Sequence, residues 1–256
     1  MEIVAHRGIH DSLPENSLAA FEAAIELGSD VVEFDVRLTR DRVPVVIHSL
    51  ECAIALDGLN GYLFEHDLSE LRAVRLKGSP QGRPQQISTL AEVLDGLAGR
   101  IGMEIEIKDP SVGLAEQVAK SLVPHRRHWD SIEVTSFEPA ILRAFSAAIG
   151  RRVPVDLLFP RSENWMTLPI VTYLAYEKAG LAGARAVHLH PAQLDATVID
   201  HLRAAHFDVH AWDVNDRETF DRVSRLGIVR VSTDNVPRLL SPRDPAGPAP
   251  SQGQPR

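Results

Sequence analysis

Eight short apolar or β-branched runs, most of them followed by an amphipathic stretch, constrain the fold of this chain more than any single residue does. The runs fall at 2–6, 31–38, 101–107, 132–137, 153–159, 186–190, 208–214 and 229–233. Between them apolar residues recur at three- and four-residue spacing, as in 15–27 and 192–205, which is the period of a helix with one buried face. Strand then helix, repeated eight times, is the pattern of a closed (β/α)8 TIM barrel; an open doubly wound sheet usually needs fewer strands. The 256 residues suit that reading, since such barrels run to about 250 residues as one domain.

One connection breaks the rhythm. Residues 44–48 read as an additional short strand, and the stretch to about 88 mixes Gly, Pro and charged residues with one helical turn near 68–76. This predicts an inserted segment after the second strand, at about 49–88, lying over the barrel mouth where the loops that follow strands build active sites. The expected domain spans 1–240. The remaining residues, SPRDPAGPAPSQGQPR, are rich in Pro and Gly and have no periodic apolar face, so 241–256 is expected to be a disordered tail.

Charge and composition exclude several classes of partner. The formal charge is −8, from 35 acidic against 27 basic residues, and the Lys and Arg residues are scattered. A nucleic-acid partner is therefore not expected, because that affinity comes largely from basic residues neutralising phosphates. No apolar run approaches the roughly twenty residues of a membrane span, so no stable membrane insertion is expected. Cys52 is the only cysteine and cannot form an internal disulfide; a small apolar role is expected for it. The N-terminus, MEIVAHRG, reads as a strand and not as a secretory signal, which predicts a cytoplasmic protein. The sequence assigns no oligomeric state.

In the second strand Glu33 and Asp35 are two apart, so their carboxylates share a face, and the intervening Val32, Phe34 and Val36 suit the helix layer. Glu104, Glu106 and Lys108 repeat the arrangement in MEIEIK. Carboxylates converging in a confined mouth repel one another unless a proton or cation is shared, and a hard divalent ion is the usual resolution. His6 and His48 stand at strand ends beside this group. Near a bound phosphate, one imidazole can take a proton from the attacking oxygen while the other protonates the leaving alcohol. Arg7 and Lys108 would supply cationic donors to phosphoryl oxygens.

These residues carry a family resemblance. HRG at 6–8, PENS at 14–17, EFDV at 33–36, the T-x-D of 39–41, VVIH at 45–48, IEIK at 105–108, SF at 136–137, WDVN at 212–215 and STDNVP at 232–237 resemble, in order, the glycerophosphodiester phosphodiesterase family. The resemblance implies a TIM barrel that hydrolyses a small-molecule glycerophosphodiester to an alcohol and glycerol phosphate with one divalent cation, Mg²⁺ or Ca²⁺, with Mn²⁺ as a further option. Glu33, Asp35 and Glu106 match the metal ligands, and His6 and His48 the acid/base pair. Arg7 and Lys108 match phosphate-contacting positions. Glu15 and Asn16 match supporting residues close to the metal, and Trp212 and Phe137 match aromatic positions around the mouth.

The chain also departs from the family pattern. Ser49 stands where an Asp usually follows the second histidine, and Ala53 to Ala55 replace a polar Arg-Thr-Thr run, which suggests a different leaving-group pocket. Glu104 is unusual, and is read either as a ligand to a second cation or as a buried carboxylate paired with a base. Asp213 replaces a Thr and is expected to face the helix layer. His188 and His190 share a strand face and are read as packed in polar barrel layers; His210 has no partner spacing that singles it out. Two alternatives follow: a divergent member acting on a different phosphodiester, as in the related sphingomyelinase D type, or a non-catalytic module that binds metal and phosphodiester. A barrel enzyme for neutral sugars or amides would leave His6, Arg7 and Lys108 without a task.

Overall fold

The computed structural model describes residues 1–240; the expected tail at 241–256 lies outside the described residues. The described strands are β1 (Glu2–His6), β2 (Val31–Leu38), β3 (Pro44–Val46), β4 (Ser88–Thr89), β5 (Gly102–Ile107), β6 (Ile132–Ser136), β7 (Val155–Leu158), β8 (Ala186–Leu189), β9 (Asp208–Ala211) and β10 (Arg230–Thr233). β1, β2 and β5 to β10 pair in parallel in that order, and β10 pairs back onto β1 through Glu2 with Arg230 and Ala5 with Thr233. The sheet is therefore closed and has eight strands, a (β/α)8 barrel. β3 and β4 form an antiparallel extension on the C-terminal end of β2, with Leu38 opposite Pro44.

Helices α1 (Leu18–Leu27), α2 (Cys52–Ala55), α3 (Leu68–Arg72), α4 (Leu90–Leu97), α5 (Val112–Leu122), α6 (Pro139–Ile149), α7 (Leu168–Ala182), α8 (Ala196–Ala204), α9 (Arg217–Arg225) and α10 (Val236–Leu240) complete the chain. Several start or stop on local chemistry. α1 begins after Ser17, whose hydroxyl accepts from the Ala20 amide, and α8 after Asp195, which caps Val198. Both helices are thus shorter than the apolar pattern of 15–27 and 192–205 suggested.

Both faces of the barrel strands are buried, as parallel strands under a helix layer require. Phe34 points outward and its ring lies 5.5 Å from that of Phe21 on α1. The inserted segment is more ordered than its composition suggested. It carries α2, a 3-10 turn at Leu63–Glu65 and α3, and it buries Val45, Ile47, Cys52, Leu56, Leu63, Leu71, Leu76 and Ile87 in a cluster separate from the main core. The Thr39 hydroxyl closes the β2–β3 turn on Val43, and Asp41 accepts from the Leu68 amide at 3.1 Å, which ties α3 to that turn.

Candidate active site

In-register pairing sets the site. Glu33 lies beside Glu104 and Asp35 beside Glu106 across β2 and β5, so all four carboxylates share the inner face. His6 is in register with Glu33 across β1 and β2. A cavity of about 230 Å³ opens here, lined by residues including His6, Arg7, Glu33, Glu106, Lys108 and Trp212. Larger clefts of about 670 and 830 Å³ lie on the helix layer and include none of the predicted site residues.

The HRG turn shows why its residue types are required. Arg7 sits in the left-handed region at φ 56°, which aims its amide at Glu33 Oε2, 3.0 Å away. Gly8 follows at φ 78°, where an added Cβ would meet the Ala20 backbone at 2.7 Å. The PENS segment then closes over the carboxylates. Glu15 accepts from Arg7 Nη1 at 2.9 Å, and the Asn16 side chain both donates to Asp35 Oδ2 (2.8 Å) and accepts from the Asp35 amide (3.1 Å). Asn16 is itself left-handed, at φ 58°, a region that Asn tolerates better than most residues.

Oxygens of Glu33, Asp35 and Glu106 lie within 4.8 Å of one another, and all three residues are buried. Arg7 Nε and Lys108 Nζ each approach Asp35 to 3.1 Å, and Lys108 also meets Glu106 at 2.7 Å. Burial and the charge of Asp35 push Glu33 up to about 8. Burial acts on Asp35 in the same direction, but Lys108 and Arg7 outweigh it and hold that carboxyl at about 2. Glu33 Oε1, Asp35 Oδ1 and Glu106 Oε1 are all buried without a hydrogen bond. Three converging carboxylates, two of which (Glu33 and Glu106) offer a buried oxygen with no hydrogen bond while Asp35 Oδ1 faces Lys108, are the donor set of a hard divalent cation, so the residues present fit such an ion.

His6 Nδ1 donates to Asp234 Oδ1 at 2.6 Å, which leaves Nε2 facing Glu33 at 3.8 Å. Burial alone would lower the His6 pKa; Glu33 and Asp234 outweigh it and the pKa is raised. Asp234 also accepts from His10 Nε2 at 3.3 Å, and Asn215 ties it to the β9 loop by accepting from the Asp234 amide at 2.8 Å. Hydrogen bonds from His10 and His6 hold Asp234 well below the usual carboxylate range. His48 is half-buried just beyond β3 and does not wall the cavity itself. Its carbonyl accepts from Arg37 Nε at 2.7 Å, and Arg37 is held in turn by Asp109. Burial lowers its pKa to about 4; Asp35 opposes the shift, whereas Arg7 and Lys108 add to it.

The structure thus brings together Glu33, Asp35, Glu106, His6, Arg7, Lys108, Glu15 and Asn16, with His48 close enough to feel their charges. Trp212 stands edge-on to Phe137 at 6.4 Å on the opposite wall, and its indole N–H donates to the Phe159 carbonyl. Asp213 is a correction. The strand ends at Ala211 and Asp213 turns left-handed at φ 63°, so the carboxylate lines the cavity, meeting Arg161, Asn215 and His190, instead of facing the helices. His210 is a buried core position, and its Nδ1 lies 3.0 Å from His188 Nε2 and near Asp156. Glu104 lines the cavity and also faces His188 Nδ1 at 3.6 Å and Glu133, so it links the cavity to this buried layer. Asp234, His10, Arg37 and Asp109 escaped sequence reasoning; Asp234 lies within the STDNVP motif and Asp109 directly follows IEIK.

Residues 6–238 match the glycerophosphoryl diester phosphodiesterase family. The chain belongs to that family. It is accordingly a glycerophosphodiester phosphodiesterase by class. The Bacillus subtilis protein YhdW is 30% identical over 240 residues, covering 91% of this chain and 94% of that one. The glycerophosphodiester phosphodiesterase of Caldanaerobacter subterraneus is 26% identical, over 93% and 96% of the two chains. Among solved structures, an Oleispira antarctica phosphodiesterase in complex with its product sn-glycerol-3-phosphate superposes with a TM-score of 0.77 at 23% identity, covering 93% of this chain and 95% of the other. Among the described residues, no helix of this phosphodiesterase is long and apolar enough to cross a membrane.

Proposed function

We propose that this phosphodiesterase hydrolyses small glycerophosphodiesters to an alcohol and glycerol phosphate by metal-dependent, two-histidine acid/base catalysis. The observation that carries the reading is the convergence of buried carboxylate oxygens of Glu33, Asp35 and Glu106 within 4.8 Å of one another, flanked by two cations and an oriented imidazole. These three residues would hold Mg²⁺ or Ca²⁺, or Mn²⁺ in their place. When bound, that ion supplies Lewis-acid polarisation of a phosphoryl oxygen.

The remaining work falls to the chain's own groups. Arg7 and Lys108 bind the non-bridging oxygens, and Trp212 limits how the rest of the diester enters. His6 and His48 divide proton removal from the attacking oxygen and proton delivery to the departing alkoxide. Glu15 holds the Arg7 guanidinium and Asn16 holds Asp35. Glycerol phosphate, the product named for the Oleispira antarctica enzyme, is the product we propose here.

The test is release of phosphomonoester from a panel of glycerophosphodiesters by EDTA-stripped protein with Mg²⁺, Ca²⁺ or Mn²⁺ restored. Turnover that returns with the ion and is lost in Glu33→Ala and His48→Ala supports the proposal. Full activity in either variant, or in the presence of EDTA, overturns it. Following the same reaction by ³¹P NMR separates direct attack by water from attack by a glycerol hydroxyl, since the second passes through a cyclic phosphate.

A further inference from the structure

A second group of metal-ligating side chains lies beneath the active-site cavity and takes no part in the proposed chemistry. His188 on β8, His210 on β9 and Asp156 on β7 are buried, with 1%, 5% and 0% exposure. In-register pairing of β8 with β9 sets the two imidazoles side by side. His188 Nε2 lies 3.0 Å from His210 Nδ1 and 3.4 Å from Asp156 Oδ2, and the last two atoms are 3.9 Å apart. One shared proton closes the short gap between the nitrogens and leaves the carboxylate oxygen farther off than a normal N–H···O bond.

Those three distances describe a triangle whose centre is about 2.0 Å from every corner, the bond length of Zn²⁺ to imidazole nitrogen and carboxylate oxygen. The donor set also differs in kind from Glu33, Asp35 and Glu106. Two imidazoles with one carboxylate suit a borderline ion such as Zn²⁺, whereas oxygen ligands alone suit Mg²⁺ or Ca²⁺.

The surroundings are those of a ligating histidine. Glu104 Oε1 faces the other nitrogen of His188, Nδ1, at 3.6 Å, in the place of the carboxylate that orients a metal-bound imidazole. Arg185 donates to Asp156 Oδ1 at 3.2 Å and to Oδ2 at 2.5 Å, which fixes the carboxylate and leaves a lone pair on Oδ2 for an ion. Thr135 is the cross-strand neighbour of Asp156 and shares its face of the sheet. Its hydroxyl is fully buried without a hydrogen bond, and it is the group placed to complete the coordination, directly or through a water. The carboxylates of Glu104, Glu133 and Asp156 outnumber the guanidiniums of Arg185 and Arg230 in this layer, so it accommodates further positive charge. Entry is open from either end: Glu104 lines the active-site cavity, and Glu133 and Arg185 line a cleft of about 270 Å³ at the N-terminal ends of the strands.

We propose that His188, His210 and Asp156 form a second, structural metal site that takes one Zn²⁺ and ties β7, β8 and β9 together beneath the catalytic centre. Each imidazole stays neutral, with its proton on the nitrogen away from the ion: Nδ1 of His188 and Nε2 of His210. The site is independent of the catalytic reading and needs no turnover for its detection.

The test is Zn²⁺ binding to chelator-stripped protein saturated with Mg²⁺, followed by calorimetry and by Tm. One Zn²⁺ per chain is expected, with a Tm rise of about 5 °C or more when Zn²⁺ stands at about 100 times its Kd. Glu33→Ala and His10→Ala are expected to keep that ion, which separates it from the carboxylate group and from the His6, His10 and Asp234 group. His210→Gln is expected to weaken binding by about 100-fold or more. Co²⁺ gives a readout that holds even if His210→Gln fails to fold: the intense visible spectrum of a four-coordinate ion, displaced by Zn²⁺, in the wild type, Glu33→Ala and His10→Ala alike. A weak, six-coordinate Co²⁺ spectrum overturns the proposal. So does the absence of Zn²⁺ binding in Mg²⁺-saturated protein, its loss in Glu33→Ala or His10→Ala, or equal affinity in folded His210→Gln.

Discussion

Asp234 accepts from two imidazoles and is itself anchored by Asn215, so His6 has one tautomer and one ring orientation available. Removing such an orienting carboxylate typically costs about 10- to 100-fold in activity. Asp234→Ala is therefore expected to lower kcat by about that factor with little change in KM, and the acid limb of the pH–rate profile is expected to move; an unaltered profile would assign Asp234 a purely structural role. Glu33 leads to a second expectation. Its carboxyl, pushed up to about 8, contributes stability below its unfolded value of about 4.3 and loses that contribution as pH rises towards 8. Asp35, held at about 2, contributes uniformly across the same window. The Tm of metal-free protein should thus carry a falling component between pH 5 and 8 that added Mg²⁺ or Ca²⁺ removes, because the ion takes the place of the shared proton. Thermal scans in EDTA and in excess cation check this; parallel pH profiles would refute it.

The insertion behaves as a small folding unit attached to the barrel through the Thr39–Asp41 turn and the β3–β4 extension. Its core is a single layer of buried side chains, among them Leu71 from α3. Leu71→Ala should cost about 2–5 kcal/mol of local stability, the usual range for a buried leucine. Because this cluster is separate from the main core, the loss is expected to appear as faster amide exchange over residues 44–89, with β5 to β10 still protected. Uniform loss of protection across the barrel would show that the insertion does not open independently. Its order also bears on catalysis: His48 lies between β3 and α2, and the Arg37 contact to its carbonyl fixes where the imidazole begins.

Across the whole barrel, the interior beneath the cavity is a stack of ionisable groups. Asp156 meets Arg185 and His188, while Glu133 meets Arg185 and Arg230. Burial alone would raise the Asp156 pKa, yet the His188 and Arg185 contacts depress it. A depressed carboxyl contributes stability above its unfolded value of about 3.9, and that contribution disappears as pH falls below it. Asp156→Ala is expected to cost about 2–3 kcal/mol at pH 7, less than a fully buried pair, because Arg185 is partly solvated. Urea titrations at pH 7 and pH 3 should show the gap between wild type and variant narrowing at the lower pH; a constant gap would place the loss in packing and not in charge.

The strand–helix rhythm was readable from the chain because burial imposes its period locally: two along a strand, 3.6 along a helix. The same local logic placed Glu33 with Asp35 and Glu106 with Lys108, since residues two apart on a strand share a face. The short motifs carried the family as well, because each packs its chemistry into three or four consecutive positions. What local periodicity does not encode is which strand meets which. The His6–Asp234 contact spans 228 residues and exists only because β10 closes onto β1. His188 with His210 needed β8 and β9 to pair in register, and Asp213 reached the cavity only through a left-handed turn that interrupts the alternation. The order inside the insertion came from side chains scattered between 45 and 87 finding one another, a collective burial that no single window of sequence displays. Ring closure and long-range packing therefore decided the partners, whereas the chain's own periodicity decided the elements.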